Sequence, residues 1–127
     1  MAFKTICSVL GLLSVAAITE ASQFASQVQV VWYSFNGTEL TGSMVVQNLA
    51  PQKAIKVVYA DKSQNWDNKC DAHYTSGPGE SQYELWSINC PIKSNGISQF
   101  YVEYDVNGQT YIDNNGGYGV NYQVTQQ

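Results

Sequence analysis

The Asn-Gly dipeptides Asn36-Gly37, Asn95-Gly96 and Asn107-Gly108 punctuate short runs in which apolar and polar residues alternate. No other feature narrows the fold as much, because Asn-Gly between alternating runs signals a tight hairpin and a period of two belongs to strands with one face on a core. Strands are expected over residues 27–35, 39–48, 53–60, 72–75 (weakly), 82–88, 98–106, 109–113 and 118–124. Pro51, Ser76-Gly77-Pro78-Gly79 and Pro91 supply the remaining breaks. With no amphipathic helix pattern, no internal repeat and 127 residues in all, the chain is expected to form one all-β domain. Seven or eight strands at this spacing imply an antiparallel β-sandwich or barrel.

The first residues stand apart from that pattern. Lys4, an uncharged apolar run from Ile6 to Ile18 and small residues at Ala17 and Ala21 have the layout of a signal peptide, assigned to residues 1–21. The run is shorter than the roughly 20 residues that cross a bilayer, so no membrane association is expected after cleavage. Secretion also suits the cysteines: Cys7 leaves with the leader, and Cys70 and Cys90 remain to form one bridge in an oxidising compartment. That bridge would close a loop of about 20 residues and contribute roughly 3 kcal/mol. Asn36-Gly37-Thr38 matches the N-glycosylation acceptor pattern on an expected surface turn.

Charge excludes several partners. Six lysines, no arginine and ten acidic residues give a net charge of −4, without the basic stripe that nucleic acid or an anionic membrane requires. A neutral partner fits better, since aromatic residues make up 13% of the chain. Trp66 lies in a polar loop directly after the apolar run Val57–Tyr59, where a flat ring would face solvent from a rigid sheet. Alternation in 99–106 places Phe100, Val102 and Tyr104 on one face and Tyr101 on the other, outer one. Trp86 and Ile88 share an inward face, which leaves Tyr83 outside; Trp32 and Tyr33 cannot be separated, because Val30 and Val31 occupy both faces. Exposed aromatic plates with asparagines nearby suit a polysaccharide, whose C–H faces pack on rings and whose hydroxyls need amide partners.

The order V-x-N-x-A (46–50), Lys53, VVYAD (57–61), Trp66, FYVEY (100–104), TYIDNN (110–115) and NYQV (121–124) resembles the family 21 carbohydrate-binding module. This is the starch-binding domain joined to fungal glucoamylases, with relatives in glycogen-targeting phosphatase subunits. The resemblance covers residues 22–127 and implies an immunoglobulin-like β-sandwich, no cofactor, no catalytic residue and two sites for α-1,4-glucan such as starch or glycogen. It implies a first site of Trp66 and Tyr101 with Asn114 and Asn121 as polar partners. The family's third aromatic falls at Ile112, and Tyr118 in the Gly-rich loop is the candidate to replace it. In the second site Tyr83, Lys53 and Asn48 line up, the tyrosine after the N-x-A turn is Pro51, and Tyr74 is the remaining aromatic.

Two other functions compete with a secreted, extracellular binding module. A small secreted glycoside hydrolase would need a carboxylate pair, for which Glu103 and Asp105 on one strand face are the candidates. A protein-targeting scaffold of the phosphatase-subunit kind conflicts with the leader. His73, the only histidine, has no accompanying nucleophile motif, and Asp61, Ser63, Asn65 and Asp67 fail as an EF-hand because Trp66 replaces the required glycine. No metal is expected, and the protein partner this reading admits is an amylolytic enzyme acting in trans.

Overall fold

A computed structural model describes residues 26–77 and 82–125, so the expected leader lies outside the described residues. Every regular element among them is a strand: β1 (Val28–Phe35), β2 (Glu39–Gln47), β3 (Ala54–Ala60), β4 (Asn68–Asp71), β5 (His73–Ser76), β6 (Tyr83–Pro91), β7 (Gln99–Val106), β8 (Gln109–Asp113) and β9 (Tyr122–Gln123). They form two antiparallel sheets, one in the order β1-β2-β6-β5 and the other β4-β3-β7-β8, with β9 also pairing β7. Between the sheets lie the inward residues Leu40, Met44 and Val46 of β2, Ile55 and Val57 of β3, Ile88 of β6 and Phe100 and Val102 of β7. Tyr104 is fully buried among them and its hydroxyl donates to the carbonyl of Gln47 at 2.6 Å, which removes the cost of hiding a polar group. The Cys70–Cys90 disulfide, with Cα atoms 5.8 Å apart, ties β4 of one sheet to β6 of the other.

Three departures from the expected strands have physical causes. β4, Asn-Lys-Cys-Asp, has none of the β-branched residues that mark a strand, and its extended shape comes from pairing with β3 and from the disulfide. The expected strand 118–124 shrinks to two residues, because Gly116 and Gly119 and the asparagines 115 and 121 take positive φ and keep 114–121 a loop. In β1 the register skips Val31: Val30 pairs with Met44, and Trp32 pairs with Ser43. This bulge separates the two aromatics that alternation left unresolved. Tyr33 turns inward, edge-on to Phe100 at 5.0 Å, and Trp32 stays 53% exposed on the outer face.

Candidate functional site

The site rests on three segments: the loop after β3, the outward face of β7 and β8, and the loop from β8 to β9. Asp61, directly after β3, is buried, and its carboxylate organises the first segment. Its Oδ1 accepts the N–H groups of Ser63 (2.8 Å) and Asn65 (3.0 Å), and its Oδ2 accepts Asn95 Nδ2 (2.9 Å). The Asn65 side chain in turn accepts the N–H of Asp67, while Asn68 Nδ2 donates to the Asn65 carbonyl at 2.8 Å. Trp66 is thus held on both sides by closed hydrogen-bond rings. Its ring lies 5.4 Å from that of Tyr101 on β7, tilted by 36°, so the two rings form an angled pair rather than a sandwich. Burial, then the Glu103 carboxylate, push the Tyr101 phenol above its ordinary pKa, so it stays a neutral donor.

These rings form one wall of a cleft of about 590 Å³, whose other lining includes Gln99, Ile112, Asn114, Tyr118 and Asn121. The loop carrying Tyr118 is pinched at its base, where the Asn121 N–H donates to the Asn114 carbonyl (2.9 Å) and Asn115 Nδ2 to the Asn121 carbonyl (3.1 Å). Tyr118 projects from it fully exposed. Asn121 is nearly buried and its Nδ2 donates to Gln99 Oε1 at 2.9 Å; Gln99 Nε2 donates to Gln64 Oε1 at 3.0 Å. A chain of amides therefore runs from Asn121 and Gln99 in the cleft lining to Gln64 in the loop after β3. Among the described residues no carboxylate lines this cleft, and no cluster of three or more His, Cys, Asp or Glu is placed to hold a metal.

The residues assigned to a second site lie around β5 and β6. Lys53 Nζ contacts Glu84 Oε2 at 3.2 Å with both side chains buried, and Trp86 Nε1 donates to Glu84 Oε1 at 2.9 Å. Tyr74 is exposed and stands edge-on to Trp86, ring centres 5.8 Å apart. Tyr83 lies on the opposite side of β6 from Glu84 and Trp86 by alternation, and Asn48 is exposed with its N–H donating to the Gln82 carbonyl. The structure thus brings Lys53 and Tyr74 to one cluster through Glu84 and Trp86. Its Lys53 ammonium faces a carboxylate.

The sequence profile of the carbohydrate/starch-binding module (family 21) matches residues 22–125. The chain belongs to that family. This family 21 module is similar to Glucoamylase 1 of Rhizopus oryzae, 38% identical over 128 aligned residues and 98% of the chain, and spans 20% of that relative's length. Among solved structures it is similar to the starch-binding domain of Rhizopus oryzae glucoamylase in complex with beta-cyclodextrin and maltoheptaose (38% identity, TM-score 0.72, 79% of this chain and 93% of that one). It also matches a circularly permuted family 21 module (34% identity, TM-score 0.59, 64% and 76% covered). At 20% identity and a TM-score of 0.61, over 94% and 91% of the two chains, the module of the muscle glycogen-targeting subunit of Protein Phosphatase-1 shares the fold.

Within the family 21 module, Trp66, Tyr101, Asn114, Asn121, Ile112 and Tyr118 all line one cleft. Sequence reasoning missed Gln99 and Gln64. Gln99 was within reach, since it has the parity of Tyr101 on the same strand and so shares its outer face. Gln64 takes φ of 65° in the loop, a conformation no residue pattern announced.

Proposed function

We propose that this chain is a secreted, non-catalytic module that binds α-1,4-glucan chains of the starch or glycogen type, chiefly by stacking sugar rings on Trp66 and Tyr101. The observation that carries the reading is the tilted ring pair beside an amide-lined cleft whose described lining residues include no carboxylate. Two rings at an angle suit a chain whose consecutive sugars are rotated, and the amides answer its hydroxyls. Each ring contact is modest, about 0.5–1.5 kcal/mol beyond area burial by analogy with aromatic pairs. Tyr74 is assigned to a second contact on the same polymer, where an intramolecular second event raises avidity by on the order of 100-fold, and Tyr83, across β6 from it, and Asn48 are left out of that contact. Lys53 serves that contact by fixing Glu84 and, through it, Trp86 beneath Tyr74.

A hydrolase is disfavoured because Glu103 and Asp105 do not line the aromatic cleft, and Asp105 faces Lys56 at 3.9 Å. Residues 1–21 are assigned to export, Asn36 to glycosylation on its exposed hairpin, and an amylolytic enzyme in trans is the proposed working companion. The test is retention on granular starch. Wild type is expected to sediment with the granules and Trp66→Ala to stay largely in solution; equal retention of the two, or none for wild type, would sink the reading.

A further inference from the structure

The cleft beside Trp66 does not end at its far wall. Ile112 and Asn114 also line a second cleft, of about 400 Å³, whose other walls include Ser26, Gln29, Asn115 and Tyr122. This second cleft lies on the seam where β8, at the edge of one sheet, meets β1, at the edge of the other. There the Asp113 carboxylate accepts the N–H of Val30 (2.7 Å) and the hydroxyl of Tyr122 (2.7 Å), and its other oxygen accepts the Asn115 N–H (3.1 Å). Among the described residues lining the seam Asp113 is the charged one, and it is satisfied from within the protein.

Beyond the seam stands Trp32. Gln29 pairs with Val45 and Trp32 with Ser43, two residues apart on β2, so both outer side chains of β1 stand roughly 7 Å apart along the strand. The Val31 bulge puts Trp32 there; without it, Trp32 would share the inward parity of Val28 and Val30. Around Trp32 the outer face offers Ser34, Thr41 and Ser43 beside the apolar Val31 and Val45, and among the described residues of β1 and β2 the charge on that face is Glu39 at the strand end. An exposed indole on an uncharged, hydroxyl-rich surface matches a neutral polyhydroxylated chain and offers nothing to an ionic partner.

We propose that Trp32 and Gln29 extend the first site into a continuous track for one long α-glucan chain, from Trp66 and Tyr101, over Ile112 and Asn114, across the seam to the Trp32 ring. This rests on the reading of the Trp66 cleft as a glucan site and adds to it a distal contact that only long chains reach. Ile112 fits that role, since a low aliphatic wall lets a chain continue over it.

The test compares maltotriose with amylose by titration calorimetry on wild type, Trp32→Ala, Gln29→Ala and Trp66→Ala. The track requires Trp32→Ala and Gln29→Ala to lower amylose affinity about two- to tenfold while maltotriose affinity stays at the wild-type value, and Trp66→Ala to lower both. If both β1 variants bind amylose like wild type while Trp66→Ala loses it, the first site stands and the extension is wrong. If wild type binds neither saccharide, the underlying reading fails and the track with it. Loss of self-association in Trp32→Ala, seen by sedimentation with amylose affinity intact, would make this face an interface between copies and overturn the proposal.

Discussion

Ile112 is the point at which the aromatic cleft is least aromatic, and it is accessible enough to alter without disturbing the core: it is 44% exposed, while its neighbour Tyr111 turns inward to Tyr104 at 5.9 Å. Replacing it with tyrosine should add a ring facing the one already at Tyr101. Ile112→Tyr is expected to raise maltoheptaose affinity about two- to tenfold in calorimetry, the equivalent of one further stacking contact. Unchanged affinity would mean that bound sugar does not touch this wall. At this scale much was legible from sequence. Tyr101 is outward because Phe100 and Val102 must be inward. Asp61 was not legible, since an aspartate after a strand looks the same whether its carboxylate meets water or, as here, two loop N–H groups and an asparagine amide.

Elements carry that aspartate's effect to the site. The β3–β4 loop has no apolar core of its own, so its shape depends on the hydrogen bonds that converge on Asp61. Asp61→Ala would leave two loop N–H groups and Asn95 Nδ2 without their acceptor. The expected cost is about 2–4 kcal/mol in urea unfolding, because bonds to a charged acceptor are among the stronger ones. Glucan affinity should fall as well, as Trp66 loses its fixed angle to Tyr101. Loss of affinity with full stability retained would instead mark Asp61 as a direct ligand contact. Element ends were well anticipated wherever a hairpin turn set them, as at Asn36-Gly37 and Asn107-Gly108. They were missed where long-range pairing decides: β4 is extended because β3 and Cys90 hold it, and the Val31 bulge exists because Tyr33 gains a place against Phe100 and Tyr122.

At the scale of the whole molecule, two sheets are held by their core, the Cys70–Cys90 bridge and tyrosines such as Tyr104 and Tyr122, whose hydroxyls are hydrogen-bonded within the packing. Burial, chiefly, raises the phenols of Tyr59, Tyr101, Tyr104 and Tyr122; for Tyr59 the Asp61 charge adds to it, and for Tyr122 the hydrogen bond to Asp113. A tyrosine in the unfolded chain titrates near pH 10. Below that pH both states keep their protons, and the contribution of these groups to stability is complete. Above it the unfolded chain releases protons first, and stability falls until the pH passes the folded values. The melting temperature should therefore drop by on the order of 5 °C between about pH 9 and about pH 11. Tyr122→Phe separates the causes: it deprives Asp113 of a donor and should melt lower at neutral pH, yet lose less than wild type on going alkaline. A parallel loss in both proteins would place the alkaline sensitivity elsewhere than in the hydroxyl that joins β9 to the seam between the sheets.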